Sequence, residues 1–202
     1  MGVTAWLVGY AVSLVEAGGY LGVFALMALE SALVPVPSEA VMPFAGFLVS
    51  RGVFGFWEAV AAGSLGNLAG GLAAYWLGAR YGRGLLERYG RYLLVGEGEL
   101  RRVEAFFARH GEAAVFLGRL LPAVRTVISF PAGVARVPLG RFAALTFAGS
   151  VPWNAALTYL GVLLGENWRL VEAAGVYLDA AVVAGALLLL AAVRLKLGEG
   201  GL

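Results

Sequence analysis

The chain has 202 residues, of which 60% are hydrophobic and only 14% charged, and a mean hydropathy of +0.82; soluble domains carry roughly 25% charged residues, so the composition reads as an integral membrane protein. The absence of cysteine excludes disulfides, thiol chemistry and zinc–thiolate sites, and the single histidine, His110, excludes a multi-histidine metal centre. Net charge is only +2; no cofactor and no nucleic-acid partner are expected.

Residues 3–16 form an apolar segment ending at Glu16. It falls short of the roughly 20 residues a span needs and is expected to be an interfacial or tilted helix. The first basic residue is Arg51, so the N-terminus is expected to be mature protein rather than a signal peptide. Gly18-Gly19 reads as a break. Residues 20–50 then form a first hairpin with arms 20–33 and 38–50, each too short to span.

Between those arms runs Glu30-Ser-Ala-Leu-Val-Pro35-Val-Pro37-Ser-Glu39. Pro35 and Pro37 lack a backbone N–H and push the residue before each towards extended geometry. A helix therefore ends near Leu33, and a new one can start at Ser38, a good N-cap. Glu30 and Glu39 flank the break. Ionisable groups inside a bilayer face protein or water. A broken apolar helix with acids at the break indicates a re-entrant hairpin lining a polar cavity.

Residues 56–79 read as a transmembrane helix. Ala62, Gly66, Gly70, Ala74, Gly78 and Gly82 recur every fourth residue and make a face that admits a close neighbour, within the chain or in a homodimer. Asn67 is expected to bond a neighbouring helix. Over residues 80–109 seven arginines alternate with glutamates, while Leu85, Leu86, Tyr89, Tyr92 and Leu93 form an apolar stripe. This predicts amphipathic cytoplasmic helices on the membrane surface, with a solvated charged face or one that binds acidic headgroups.

Residues 112–135 form a second hairpin, interrupted by Pro122 and carrying Arg119 and Arg125. Residues 139–165 and 170–193 read as two ordinary transmembrane helices. The positive-inside rule places 80–109 and the C-terminus in the cytoplasm and leaves only Arg51 and Arg169 of the 15 basic residues outside. The predicted fold is thus all-α and integral to the membrane. Two oppositely oriented re-entrant hairpins are each followed by a transmembrane helix, as an inverted repeat with a site near the midplane.

At the hairpin tips, Arg119 and Arg125 suit an anionic phosphate, because arginine stays protonated and binds phosphate in a fork. Half-helix N-termini near Ser38 and Ala123 would add partial positive charge. The alternative is that Glu30, Glu39, Arg119 and Arg125 form structural ion pairs. The two can coexist, since a ligand phosphate could displace a carboxylate, and a carboxylate in such a cavity could couple to protons.

Glu30-x4-Pro35-x-Pro37-Ser38-Glu39, then Phe116-x2-Arg119-x2-Pro122-x2-Arg125, then Ala132-Gly133, together resemble the signature of the DedA family. These are bacterial relatives of the eukaryotic membrane proteins that share the SNARE-associated (VTT) domain. The resemblance covers roughly residues 18–165. It implies a multi-pass protein of the bacterial cytoplasmic membrane that flips or scrambles lipids, either polyprenyl phosphate such as undecaprenyl phosphate or phospholipids such as phosphatidylethanolamine, with protons as a further partner. It also implies that Glu30 and Glu39 are the two required acids and Arg119 and Arg125 the two required arginines. Val137 stands where the family often has methionine.

Two rivals compete. A proton-coupled small-solute exporter could use the same residues, but would need closed walls where a lipid needs a lateral opening. An intramembrane enzyme is disfavoured. Gly63-Ser64-Leu65-Gly66 suggests a serine protease, yet the only histidine lies in the charged section, and Asp179 is the only aspartate. The protein is expected not to be an enzyme.

Overall fold

The computed structural model describes residues 3–34, 36–93, 107, 109, 113–121 and 124–165, and these residues are helical or in turns. Pro35, Pro122, Ala123, His110, most of the charged section from 94 onwards and the expected last helix at 170–193 lie outside them. The helices are α1 (Val3–Ser31), α2 (Ser38–Ser50), α3 (Phe56–Leu93), α4 (113–120), α5 (Ser129–Val134) and α6 (Leu139–Leu164).

α1 is two helices joined at Gly19, whose φ of 58° and ψ of −138° are open to glycine but strained for other residues. The bend is sharp enough to bring the carbonyl of Leu14 against Gly22, where a side chain would not fit. Val15 is thereby buried with Val23, Leu26 and Met27.

The first arm ends before the prolines act. The N–H of Leu33 bonds the Glu30 carbonyl (3.1 Å), and that of Val34 the Leu29 carbonyl (3.0 Å), with Leu33 at φ 71°. This is a Schellman closure with leucine in the position usually held by glycine, at a cost of about 1–2 kcal/mol. Pro37, in extended geometry, is the N-cap of α2, and Ser38 is its first helical residue. The expected capping role of Ser38 is therefore corrected. Its side chain caps nothing, because the hydroxyl accepts a bond from Arg125.

α3 does not end at residue 79, where the sequence suggested a change from span to surface helix, but continues unbroken to Leu93. No proline interrupts it, and arginine is a good helix former. Its glycine stripe packs within the chain. Gly66 lies against the carbonyl of Phe24 and Gly70 against that of Ala28, both on α1; Gly78 meets the Phe130 carbonyl and Gly82 the Val134 side chain, both on α5. The first half of α3 thus supports the first hairpin and the second half supports the second.

The second hairpin also departs from expectation. Val124 and Arg125 both bond the Leu121 carbonyl (3.1 and 2.9 Å), making consecutive turns, and regular helix starts only at Ser129. The expected helix N-terminus at Ala123 lies outside the described residues; α5, the helix that follows the turns, has six residues. α5 closes like α1: Arg136, at φ 53°, bonds Gly133 and Val137 bonds Ala132. Pro138 then caps α6.

α6 packs on α2 and α3. One apolar cluster joins α1, α2 and α3 around Met27, Met42 and Phe44. A second joins α4, α5 and α6 around Val115, Ala132 and Phe142. Among the described residues, two stretches are long and apolar enough to cross a membrane: Val12–Ser31, which contains the Gly19 bend, and Leu139–Leu164. α3 is not one of them, because its glycines, Asn67 and charged residues dilute its apolar content.

Candidate functional site

Between the two apolar clusters lies a buried polar layer. Glu30 and Ser31 come from the end of α1, Ser38 from the start of α2, and Ser64 and Asn67 from α3. Arg119 comes from the end of α4, Arg125 from the turn after it, Ser129 from α5, and Thr146, Ser150, Asn154 and Thr158 from α6. Each of these side chains is buried. Polar groups in such a place need partners, so the hydrogen bonds must be accounted for one by one.

Arg125 reaches across the break in the first hairpin. Its Nη2 donates to Glu30 Oε1 and to Ser38 Oγ, one residue from each side of the break. Glu39 Oε1 lies 3.7 Å away, on a side chain 41% exposed. The guanidinium sits 4.9 Å over the ring of Trp153 on α6, a cation–π contact. Glu30 is gripped from its other side: Asn67 Nδ2 donates to Glu30 Oε2 (3.3 Å), to Ser31 Oγ (2.9 Å) and to the Met27 carbonyl (3.3 Å). Asn154 fixes the orientation of Asn67. Its amide donates to Asn67 Oδ1 (2.9 Å) and to Ser64 Oγ (3.1 Å), so the NH2 of Asn67 must face the acid.

Arg119 is held differently. Its Nη1 donates to Ser31 Oγ (3.3 Å) and its Nη2 to Ser129 Oγ (2.7 Å). Among the described residues, no carboxylate lies within ion-pair distance of it, and its Nε has no partner. Two glycines make its space: a Cβ on Gly71 would strike Nη2, and one on Gly149 would lie 2.8 Å from the Arg119 Cβ.

The fold thus brings Glu30, Glu39, Ser38, Asn67 and Arg125 into one network, with Arg119 joined to it through Ser31. Pro37 shapes the break. Among the described residues the ion-pair alternative accounts for Arg125 and not for Arg119, because the buried groups there comprise two cations and one anion. Ser64 is bonded to an amide, which cannot act as a general base, so the protease-like Gly-Ser-Leu-Gly motif has no such partner there.

Several residues escaped the sequence reading. Ser31 and Ser129 hold Arg119, Asn154 orients Asn67, and Trp153 covers Arg125. A signal was available for the first face of α6: Thr146, Ser150, Asn154 and Thr158 recur every fourth residue, a polar stripe on an otherwise apolar helix. Nothing local marks Ser31 or Ser129.

A model of the VTT domain matches residues 36–163. The chain is 42% identical over 152 residues to the uncharacterized membrane protein YkoX of Bacillus subtilis, covering 75% of this chain and 67% of that one. It is 39% identical over 160 residues to undecaprenyl phosphate transporter A of the same organism, covering 79% of each. It is 34% identical over 158 residues to an alkaline phosphatase-like protein of Lactococcus lactis, covering 76% and 74%. No solved structure matches the chain.

Proposed function

Because this chain belongs to the VTT domain family, the DedA family of membrane proteins, we propose that it carries a phosphate-bearing lipid across the bacterial cytoplasmic membrane. The observation that carries this reading is Arg119, which is 2% exposed and, among the described residues, has an unpartnered Nε and is held only by two hydroxyls. A buried cation without an anion is costly and is retained where a ligand supplies the charge. Arginine suits phosphate, which it binds in a fork. The name of the B. subtilis transporter supports undecaprenyl phosphate as the cargo class.

In this mechanism the lipid phosphate docks between Arg119 and Arg125, while its tail stays in the bilayer. Glu30 and Glu39 hold Arg125 when the site is empty and are displaced as phosphate enters, and their return releases the cargo. Protons taken up by these acids would couple transport to a gradient.

The proposal includes re-entrant hairpins in an inverted repeat, with 80–109 cytoplasmic. The helix crossings support the repeat. Gly46 of α2 lies against the Thr158 carbonyl of α6, while Gly161 of α6 lies against the Pro43 carbonyl of α2. The same reciprocal contact recurs between α5 and α3, with Gly133 on the Tyr75 carbonyl and Gly78 on the Phe130 carbonyl. A third pair matches too: Gly66 faces Phe24 O and Met27 Cβ, and Gly149 faces Phe116 O and Arg119 Cβ. By this register Arg119 occupies the place that Met27 holds in the first half, so an apolar skeleton used twice carries a cation once.

Reconstitution into liposomes tests the reading, following polyprenyl phosphate beside phosphatidylethanolamine with and without a pH gradient. Movement of one lipid, abolished by Arg119→Ala and by Arg125→Ala in folded protein, is expected. If neither lipid moves, the small-solute exporter gains; release of inorganic phosphate from the lipid would instead favour an enzyme.

A further inference from the structure

Three buried N–H donors around the two arginines have no acceptor among the described residues: Arg119 Nε, Arg125 Nε and Trp153 Nε1. Trp153 takes no part in the ion-pair network, yet its ring lies against the Arg125 guanidinium. The residue is half-buried while its N–H is inside, so it stands between the protein interior and its surroundings. Buried tryptophans usually find an acceptor for the indole N–H, and an orphaned donor at a site calls for an explanation.

The acceptors that hold Arg125 are already engaged. Both carboxylate oxygens of Glu30 accept bonds, from Arg125 and Asn67, and Ser38 accepts from Arg125. The orphaned group is a donor beside a cation, so what completes it is an acceptor carrying negative charge. A phosphate monoester presents several such oxygens and can serve Arg125 and the indole together.

We propose that Trp153 is a ligand-contact residue of the phosphate site, its indole N–H donating to a phosphate oxygen while its face steadies Arg125. This rests on the reading of the arginine pair as a lipid phosphate site.

The indole 15N–1H signals of the five tryptophans would be followed in phosphatidylcholine nanodiscs during titration with undecaprenyl phosphate. Undecaprenol and inorganic phosphate serve as separate arms, and lipid affinity is measured for wild type, Trp153→Phe and Arg119→Gln. The signal that Trp153→Phe removes is expected to move downfield with the phosphate lipid and to stay in place with the alcohol. Trp153→Phe keeps the ring over Arg125 and loses the donor, so it should bind roughly 10- to 100-fold more weakly, the range for a hydrogen bond to a charged group. Should Trp153→Phe fail to fold, substituting phenylalanine at Trp6, Trp57, Trp76 and Trp168 assigns the signal by elimination. A stationary Trp153 signal while wild type and Arg119→Gln differ in affinity overturns the role of Trp153 and leaves the site standing. Equal affinity of Arg119→Gln and wild type overturns the site itself. A shift produced by inorganic phosphate and not by the lipid, or equally by the alcohol, overturns the headgroup assignment.

Discussion

Replacing Glu30 by glutamine keeps the shape of the side chain and removes its charge. In the native network Oε1 accepts from Arg125 and Oε2 from Asn67. Glutamine can serve one of these donors with its carbonyl, and its NH2 then faces the other. Asn67 cannot rotate to relieve this, because its Oδ1 already accepts from Asn154. Arg125 would keep Ser38 and the more distant, 41% exposed Glu39, which is too screened to replace a buried partner. Breaking a buried pair costs about 3–5 kcal/mol. At about 2–4 °C per kcal/mol for a chain of this size, the midpoint should fall by on the order of 10 °C. Thermal unfolding of purified protein in detergent, with Glu39→Gln as the control, measures this. The control should change stability by less than about 1 kcal/mol. Adding Arg125→Gln to Glu30→Gln should recover part of the loss, since no unpaired charge then remains. Equal midpoints for Glu30→Gln and Glu39→Gln would refute the reasoning, because the buried pair would then carry no more than the exposed one.

Arg119→Lys should reduce lipid movement about tenfold or more in the liposome assay, since lysine keeps the charge and loses the fork. Wild-type transport by that variant would count against bidentate phosphate binding. Gly71→Val places atoms where the Arg119 guanidinium lies; it should stop transport and lower stability by about 1–3 kcal/mol in thermal unfolding. Gly46→Ala drives a methyl into the Thr158 carbonyl at the α2–α6 crossing and should destabilise by a similar amount, about 1–3 kcal/mol. Gly18→Ala meets open space and should leave stability unchanged or raised by up to about 1 kcal/mol, a contrast read in the same experiment.

Arg125 and Arg119 do different work in the unliganded fold. Arg125 ties Glu30 to Ser38 across the break, so it supports the first hairpin directly. Arg119 links Ser31 to Ser129 and so joins the two hairpins without neutralising any charge. Substitutions of Arg125 should therefore mix loss of fold with loss of function, whereas substitutions of Arg119 remove a charge that no described carboxylate pairs.

The amino-acid sequence alone determined the features that depend on neighbours along the chain. Proline chemistry sets the extended entry to α2 at Pro37, glycine permits the bend at Gly19, and long apolar runs make the described chain helical. The unusual ionisable residues Glu30, Arg119 and Arg125 stood out because such groups are rare in apolar segments. Only the tertiary structure decided how they are partnered. Arg125 and Glu30 are 95 positions apart, and whether Arg119 or Arg125 meets the acid depends on how the two hairpins cross. That crossing is set by glycine contacts between α2 and α6 and between α3 and α5; the stripe on α3 announced a close neighbour without naming it, and nothing local marks the α2–α6 contact. The same crossing turned Ser38 from a cap into an acceptor, made Ser31 and Ser129 the holders of Arg119, and placed Trp153 over Arg125. Each outcome follows from side chains brought together by packing, and packing joins residues that chain order keeps apart.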